Sequence, residues 1–125
     1  MALLIDLLAD PDAPVAASLR DDVRFRSPYA DYAGRADVAH LVGLIRRALG
    51  ELRVVGQLRS DTETMTRFEG RVVTGEDVQG VLAERHDADG RLVEAMLTLR
   101  PYSGLRAAMR AMQPLLEAAP LPGSS

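Results

Sequence analysis

The chain has 125 residues, 47% hydrophobic and 26% charged, with a net charge of −3; that suffices for one domain with a true core and gives no electrostatic basis for binding nucleic acid or an anionic membrane. Cys, Lys and Asn are absent and all 15 basic residues are Arg, which excludes disulfides, thiolate metal sites and Cys nucleophiles. The opening MALLIDLLADPD has no basic stretch before its short apolar run and carries Asp6 and Asp10, so we expect no signal peptide, no membrane span and a cytoplasmic location.

Ala2 to Ala9 reads as a short helix stopped by Asp10-Pro11. A second helix is expected from Asp12, its N-cap, to about Arg20, with Val15, Ala16 and Leu19 turned inward. Val23 to Arg26 alternates as a short strand that ends at Ser27-Pro28. The loop from Tyr29 to Gly34 holds two tyrosines, Tyr29 and Tyr32, placed at a pocket rim or packed there. From Arg35 to Leu49, the residues Val38, Leu41, Val42, Ile45 and Leu49 form one stripe of an amphipathic helix, with Gly50 at its C′ position. His40 falls at the border of that stripe, which favours a core or boundary role over ligand binding.

Strands follow. Leu52 to Arg59 puts Leu52, Val54, Gly56 and Leu58 on one face. Glu63 to Val73 does the same with Thr64, Thr66, Phe68, Gly70 and Val72, and the turn Thr74-Gly75-Glu76 requires a left-handed Gly75. Glu76 to Pro101 forms a long hairpin about Asp87-Ala88-Asp89-Gly90, with Gly90 at positive φ. As a four-residue loop, this turn sets Glu84 opposite Val93, Leu82 opposite Ala95 and Gly80 opposite Leu97. A last helix starts near Ser103 and buries Leu105, Ala108, Met109 and Met112. Pro114 bends or ends it, and the chain is loose after about residue 118. Residues 1–125 form one domain.

These registers predict inner-face rows Leu52, Gly70, Gly80, Leu97, then Val54, Phe68, Leu82, Ala95, then Gly56, Thr66, Glu84, Val93. Glycines in neighbouring strands let a sheet bend hard. The expected architecture is therefore α+β, a cone-shaped, strongly curved antiparallel sheet covered by the N-terminal helices and the third helix, with an apolar cavity beneath. Glu84 is the one carboxylate on that face. Desolvation would raise its pKa and suit it to general acid or base work; the plainer alternative is an acid near the mouth, solvated or paired with Arg. His86 shares its face but sits beside the turn and is expected to be exposed. The two His offer no metal-binding spacing. The outer face is unusually apolar, with Val55, Met65, Val81, Ala83, Leu92 and Met96 among Arg67, Arg71 and Glu94, which predicts a homodimer through the sheet.

Two segments, SLRDDVRFRSPYADYAGRADV and HDADGRLVEAMLTLRPYSGL, resemble the nuclear transport factor 2-like (SnoaL-like, cystatin-like) superfamily. Leu19, Asp21, Asp22, Val23, Phe25, Ser27 and Pro28 carry the likeness at the first strand, Gly34 and Arg35 at the helix start, and Asp89, Gly90 and Arg91 at the last turn. The resemblance implies the cone fold and leaves activity open, since this fold hosts enzymes and binding modules alike. Its ketosteroid isomerase branch needs a carboxylate before the strand-ending Pro, where this chain has Ser27. It also needs a protonated acid near Leu82 and a phenol near Leu3, and neither is present. Its epoxide hydrolase branch needs an Asn that the chain lacks, and for its polyketide-cyclase branch Glu84 has no second partner.

The leading expectation is a domain that binds a small apolar molecule, with no cofactor and no metal. Ser27, Tyr29, Tyr32, His40, Thr66, Phe68, Leu82 and Ala95 are the candidate lining residues. The alternative is a cofactor-free isomerase, cyclase or dehydratase acting through Glu84, and a purely structural dimerisation domain is a third class.

Overall fold

The computed structural model describes residues 3–123. Helix α1 spans Leu4–Ala9, and strand β1 spans Leu19–Arg26. A short strand β2 (Asp31–Ala33) leads into helix α2 (Arg35–Ala48). Strands β3 (Leu49–Arg59), β4 (Glu63–Val72), β5 (Asp77–His86) and β6 (Leu92–Arg100) follow, and helix α3 (Tyr102–Ala118) completes the set. The strands form one six-stranded sheet in the order β2-β1-β6-β5-β4-β3. The α+β class stands, but the sheet is mixed, because β1 runs parallel to β6.

The helix expected from Asp12 to Arg20 is absent. Only a 3₁₀ turn at Ala16–Ser18 forms, and β1 already begins at Leu19. Pro14 disfavours helical backbone at Ala13, the first residue after the expected cap. Val15 and Leu19 are still buried, from turn and strand positions, while Ala16 is exposed. The Arg35 guanidinium donates to the Leu19 carbonyl at 3.0 and 3.1 Å and pairs with Asp21 at 2.7 Å, fixing the start of β1. Gly34 opens α2 at φ +97°, a value that disfavours side chains, while its N–H donates to the Val23 carbonyl at 2.8 Å.

Helix α2 buries its predicted stripe and then passes directly into β3. Gly50 is not the left-handed C′ residue; Leu49 is extended, and Glu51 instead takes φ +53°. A register shift accompanies it between Gly50 and Arg53, and a second lies between Val54 and Gly56. The second shift leaves Val55 without an opposite residue and inverts the parity beyond it. Gln57 therefore lies on the inner face of the sheet, still exposed at its edge, and donates to the Thr66 hydroxyl at 3.1 Å, while Leu58 pairs with Met65 on the outer face and is 76% exposed.

Both later hairpins keep the predicted faces but slip in register by two residues on one strand. Val73 leaves the ladder because its N–H donates to the Ala48 carbonyl at 2.9 Å, so Gly70 faces Val78 and Phe68 faces Gly80. Gly75 is left-handed at φ +105°. At the next turn the Asp87 side chain accepts the N–H groups of Asp89 and Arg91, both at 2.9 Å, and Gly90 takes φ +80°. This tight knot and a bulge between Arg85 and His86 set Glu84 opposite Ala95, Leu82 opposite Leu97 and Gly80 opposite Leu99. Leu92, expected outside, is buried in the core as a result.

Phe68, Leu82 and Ala95 lie inside the sheet, with Leu4, Ile5 and Leu8 of α1 and Val38, Leu41 and Val42 of α2 closing over it. At Gly80 the sheet has no room for a Cβ, which would come within 2.4 Å of the Thr98 carbonyl oxygen and 2.6 Å of the Phe68 ring. Helix α3 continues through Pro114. The side it buries carries Gly104, Ala107 and Ala108, whereas Met109, expected in the core, is 38% exposed. A Cβ on Gly104 would stand 2.6 Å from a Val78 methyl, so glycine there lets the helix lie close on β5. Beyond α3 the Ala119 carbonyl lies 2.6 Å from His40 Nε2, and the Gly123 N–H donates to Asp37 at 2.7 Å.

Candidate functional site

The side chains singled out by sequence divide between two places. One is a buried polar cluster around Glu84; the other is a cavity beneath α3.

Glu84 sits in an inner row with Arg59, Thr64, Ala95 and Phe25, contributed by successive strands. It is fully buried, and so are Thr64, Thr66 and His86; the expectation of an exposed His86 is thus corrected, since the unbroken alternation along β5 carries it inward on the same face as Glu84, beyond the reach of the turn. Glu84 Oε1 accepts the Leu4 N–H at 2.5 Å, and Oε2 accepts the Ile5 N–H at 3.1 Å. These are first-turn amides of α1, which have no partner within the helix. The Leu3 position supplies no side-chain cap, so a carboxylate from β5 does that work. The other end of α1 is held by Arg46, which donates to the Leu7 and Ala13 carbonyls at 2.8 Å each. Acid at the helix start and base at its end both suit the helix dipole.

Burial pushes the Glu84 carboxyl up from 4.5 to about 7, against the Leu4 and Ile5 amides, which hold it down. Asp6 adds to the rise and Arg59 opposes it. His86 Nε2 lies 3.5 Å from Glu84 Oε1. An acid in this state can hold or release a proton near neutrality. Its oxygens, however, face α1, not open space.

The cavity lies elsewhere and measures about 850 Å³. Leu41 and Ile45 of α2, Leu97 and Leu99 of β6, and Leu105 and Met112 of α3 form its walls. Ser27, Tyr29 and Tyr32 border it at the β1–β2 connection, as the sequence suggested. The Ser27 hydroxyl is committed to its own turn; it donates to the Ala30 carbonyl at 2.9 Å and accepts the Tyr29 and Ala30 amides. Burial raises the Tyr32 phenol above its usual 10.0. Tyr29 is 72% exposed and stands at the rim.

His40, Thr66, Phe68, Leu82, Ala95 and Glu84 do not border this cavity. Phe68, Leu82 and Ala95 are core, Thr66 is bonded to Gln57, and His40 receives the chain after α3. Sequence reasoning missed the α3 contribution of Tyr102, Arg106 and Arg110. Their signal was present as the polar flank of the Leu105, Met109 and Met112 stripe, a stripe assigned to the core. Arg46 gave no signal, because a base in the last turn of a helix is ordinary. Among the described residues there is no cluster of three His, Asp or Glu that could hold a metal, and no helix is long and apolar enough to cross a membrane.

No family model and no curated protein matches the chain. Among solved structures it is similar to an uncharacterised bacterial protein with a cystatin-like fold from Silicibacter pomeroyi DSS-3, with 24% identity, TM-score 0.86, and 93% of this chain and 84% of the other covered. A steroid delta-isomerase from Pseudomonas aeruginosa aligns with 29% identity and TM-score 0.82 over 92% of this chain and 85% of its own. A nuclear transport factor 2-like protein of unknown function from Cytophaga hutchinsonii ATCC 33406 aligns at 11% identity and TM-score 0.67, covering 80% and 86%. With element order, sheet and neighbours in agreement, the chain has the cystatin-like, nuclear transport factor 2-like fold.

Proposed function

We propose that this domain binds a small, largely apolar molecule in the cavity beneath α3. The observation that carries the reading is the orientation of α3, which lays small residues against the body and directs Leu105, Met109, Met112 and Leu116 toward open volume. A helix packed only for stability would bury its large side chains. Methionines in such a wall adapt to varied ligand shapes, and a volume of about 850 Å³ lies in the range of small-molecule sites. The test is native mass spectrometry of freshly purified protein beside Met109→Trp, whose indole would occupy the space. Retained small molecules in the parent and none in the variant support the reading; the same mass excess in both, or none in either together with no apolar probe bound in solution, defeats it.

A second reading, a cofactor-free isomerase, cyclase or dehydratase acting through Glu84, draws support from the carboxyl held at about 7 and from the likeness to a steroid delta-isomerase. It ranks lower because both Glu84 oxygens are occupied by α1 amides and the residue lies outside the cavity. Ser27 and Leu82 also stand where that chemistry asks for carboxyl groups.

The domain is further proposed to pair with a second copy through the outer face of the sheet. Leu58, Met65, Ala83 and Met96 form a continuous apolar row there. Beside it runs a row of alternating charge, Glu63, Arg85, Glu94 and Arg24. An alternating row can meet its own copy in reverse with opposite charges matched.

A further inference from the structure

We infer that the molecule taken up beneath α3 is an apolar monocarboxylate whose acid head is received by Arg106 and Arg110. The inference rests on the cavity being a binding site and adds the chemistry of the occupant. Arg106 and Arg110 lie one turn apart on α3, and both line the cavity. That spacing puts them on the same side of the helix. Among the described residues neither is within ion-pair distance of Asp or Glu, although the charge of Arg110 is felt by Glu76 on its other side and helps hold that carboxyl down. The Arg106 guanidinium instead lies 5.7 Å from the centre of the Tyr102 ring, a contact that steadies the group and uses none of its N–H donors.

The charge balance of the lining points the same way. Its one acid, Glu117, already accepts from Gln113 at 3.3 Å, so the cavity border carries an excess of positive charge beside apolar walls. A carboxylate matches the planar donor fork of arginine with two oxygens at once, which a hydroxyl or a carbonyl cannot do. The walls recognise the apolar body and are indifferent to its head. An alcohol of equal chain length therefore isolates the part played by the arginines.

Isothermal titration of the full chain at neutral pH with decanoate and with decan-1-ol tests this. Decanoate is expected to bind at least about tenfold more tightly, the effect of one charge-assisted pair at a partly exposed site. The double variant Arg106→Gln/Arg110→Gln should bring decanoate down to the level of decan-1-ol and leave decan-1-ol unchanged. Both residues are exposed, so folding is not at risk. Met109→Trp should abolish binding of both probes. Equal binding of the two by the parent, or an unaltered decanoate affinity in the double variant or in Met109→Trp, overturns the carboxylate assignment while decan-1-ol binding preserves the cavity reading. Failure of both probes to bind overturns both.

Discussion

Glu84 and Ile5 lie 79 residues apart in the chain, yet a carboxylate oxygen of the first accepts the backbone N–H of the second at 3.1 Å. The strand residue thereby supplies the cap that α1 lacks in its own sequence. Glu84 connects a fold-level need to a chemical property, since the burial that makes it an effective cap also drives up its pKa.

Removing this carboxylate should free α1 before it disturbs the sheet. In Glu84→Ala the Leu4 and Ile5 amides lose their acceptor inside the protein, at a cost of roughly 2 kcal/mol. Denaturant titration should register the loss. Hydrogen exchange should show Leu7 and Leu8 speeding up more than the β4 and β5 amides. Equal acceleration across the whole chain would argue against a local role for Glu84.

Stability should fall as the solution becomes more alkaline. The folded chain holds the Glu84 proton up to about 7, whereas an unfolded carboxyl releases it near 4.5. The contribution is therefore complete below the lower value and is lost as pH rises through the upper one, to a limit of roughly 3 kcal/mol. Urea midpoints taken from about pH 5 to about pH 8 should decline in the parent. Glu84→Gln, which cannot titrate, should show a flatter profile. Parallel profiles for the two proteins would rule out Glu84 as the source.

Two glycine replacements should act in opposite directions. Gly80→Ala places a methyl group against the Thr98 carbonyl and the Phe68 ring, which predicts a loss of about 3 kcal/mol. Gly43→Ala, within α2 and with nothing within 4 Å of the new atom, should gain about 1 kcal/mol from helix propensity alone. Thermal melts of both variants decide the matter; a neutral Gly80→Ala would mean that β5 and β6 yield easily there.

Charge placed in the outer apolar row should separate the proposed dimer. Met65 and Met96, both 45% exposed, stand on either side of Ala83. Met65→Glu/Met96→Glu is expected to give a monomer by light scattering at micromolar concentration, with the folded spectrum unchanged. A parent protein that is already monomeric at that concentration dismisses the interface.

The alternation of side chains along β4, β5 and β6 was legible in the sequence because it depends only on a period of two, and a slip of two residues leaves it intact. Phe68, Leu82, Glu84 and Ala95 therefore fall on the expected face despite altered partners. What could not be read were events that insert a residue or divert an amide. Val73 leaves its ladder to reach the end of α2, and Glu51 and Val55 break the count along β3. The seating of α3 was misjudged for a different reason. Its stripe of large apolar residues looks like a core face by periodicity, and only the close approach at Gly104 to Val78 reveals that the small residues make the contact. Glu84 was identified as an interior acid, but its partners are backbone amides, which leave no trace in residue identity.

The unpaired Val55 in β3 has an architectural corollary. Excising that single residue would rotate the rest of the strand by half a turn, moving Gln57 to the outer face of the sheet and Leu58 to the inner one. The polarity of the inner face along this exposed edge strand is thus governed by the presence of one codon and not by any exchange of side chains. For a lineage that adapts its interior to new contents, this is a short step with a large chemical effect.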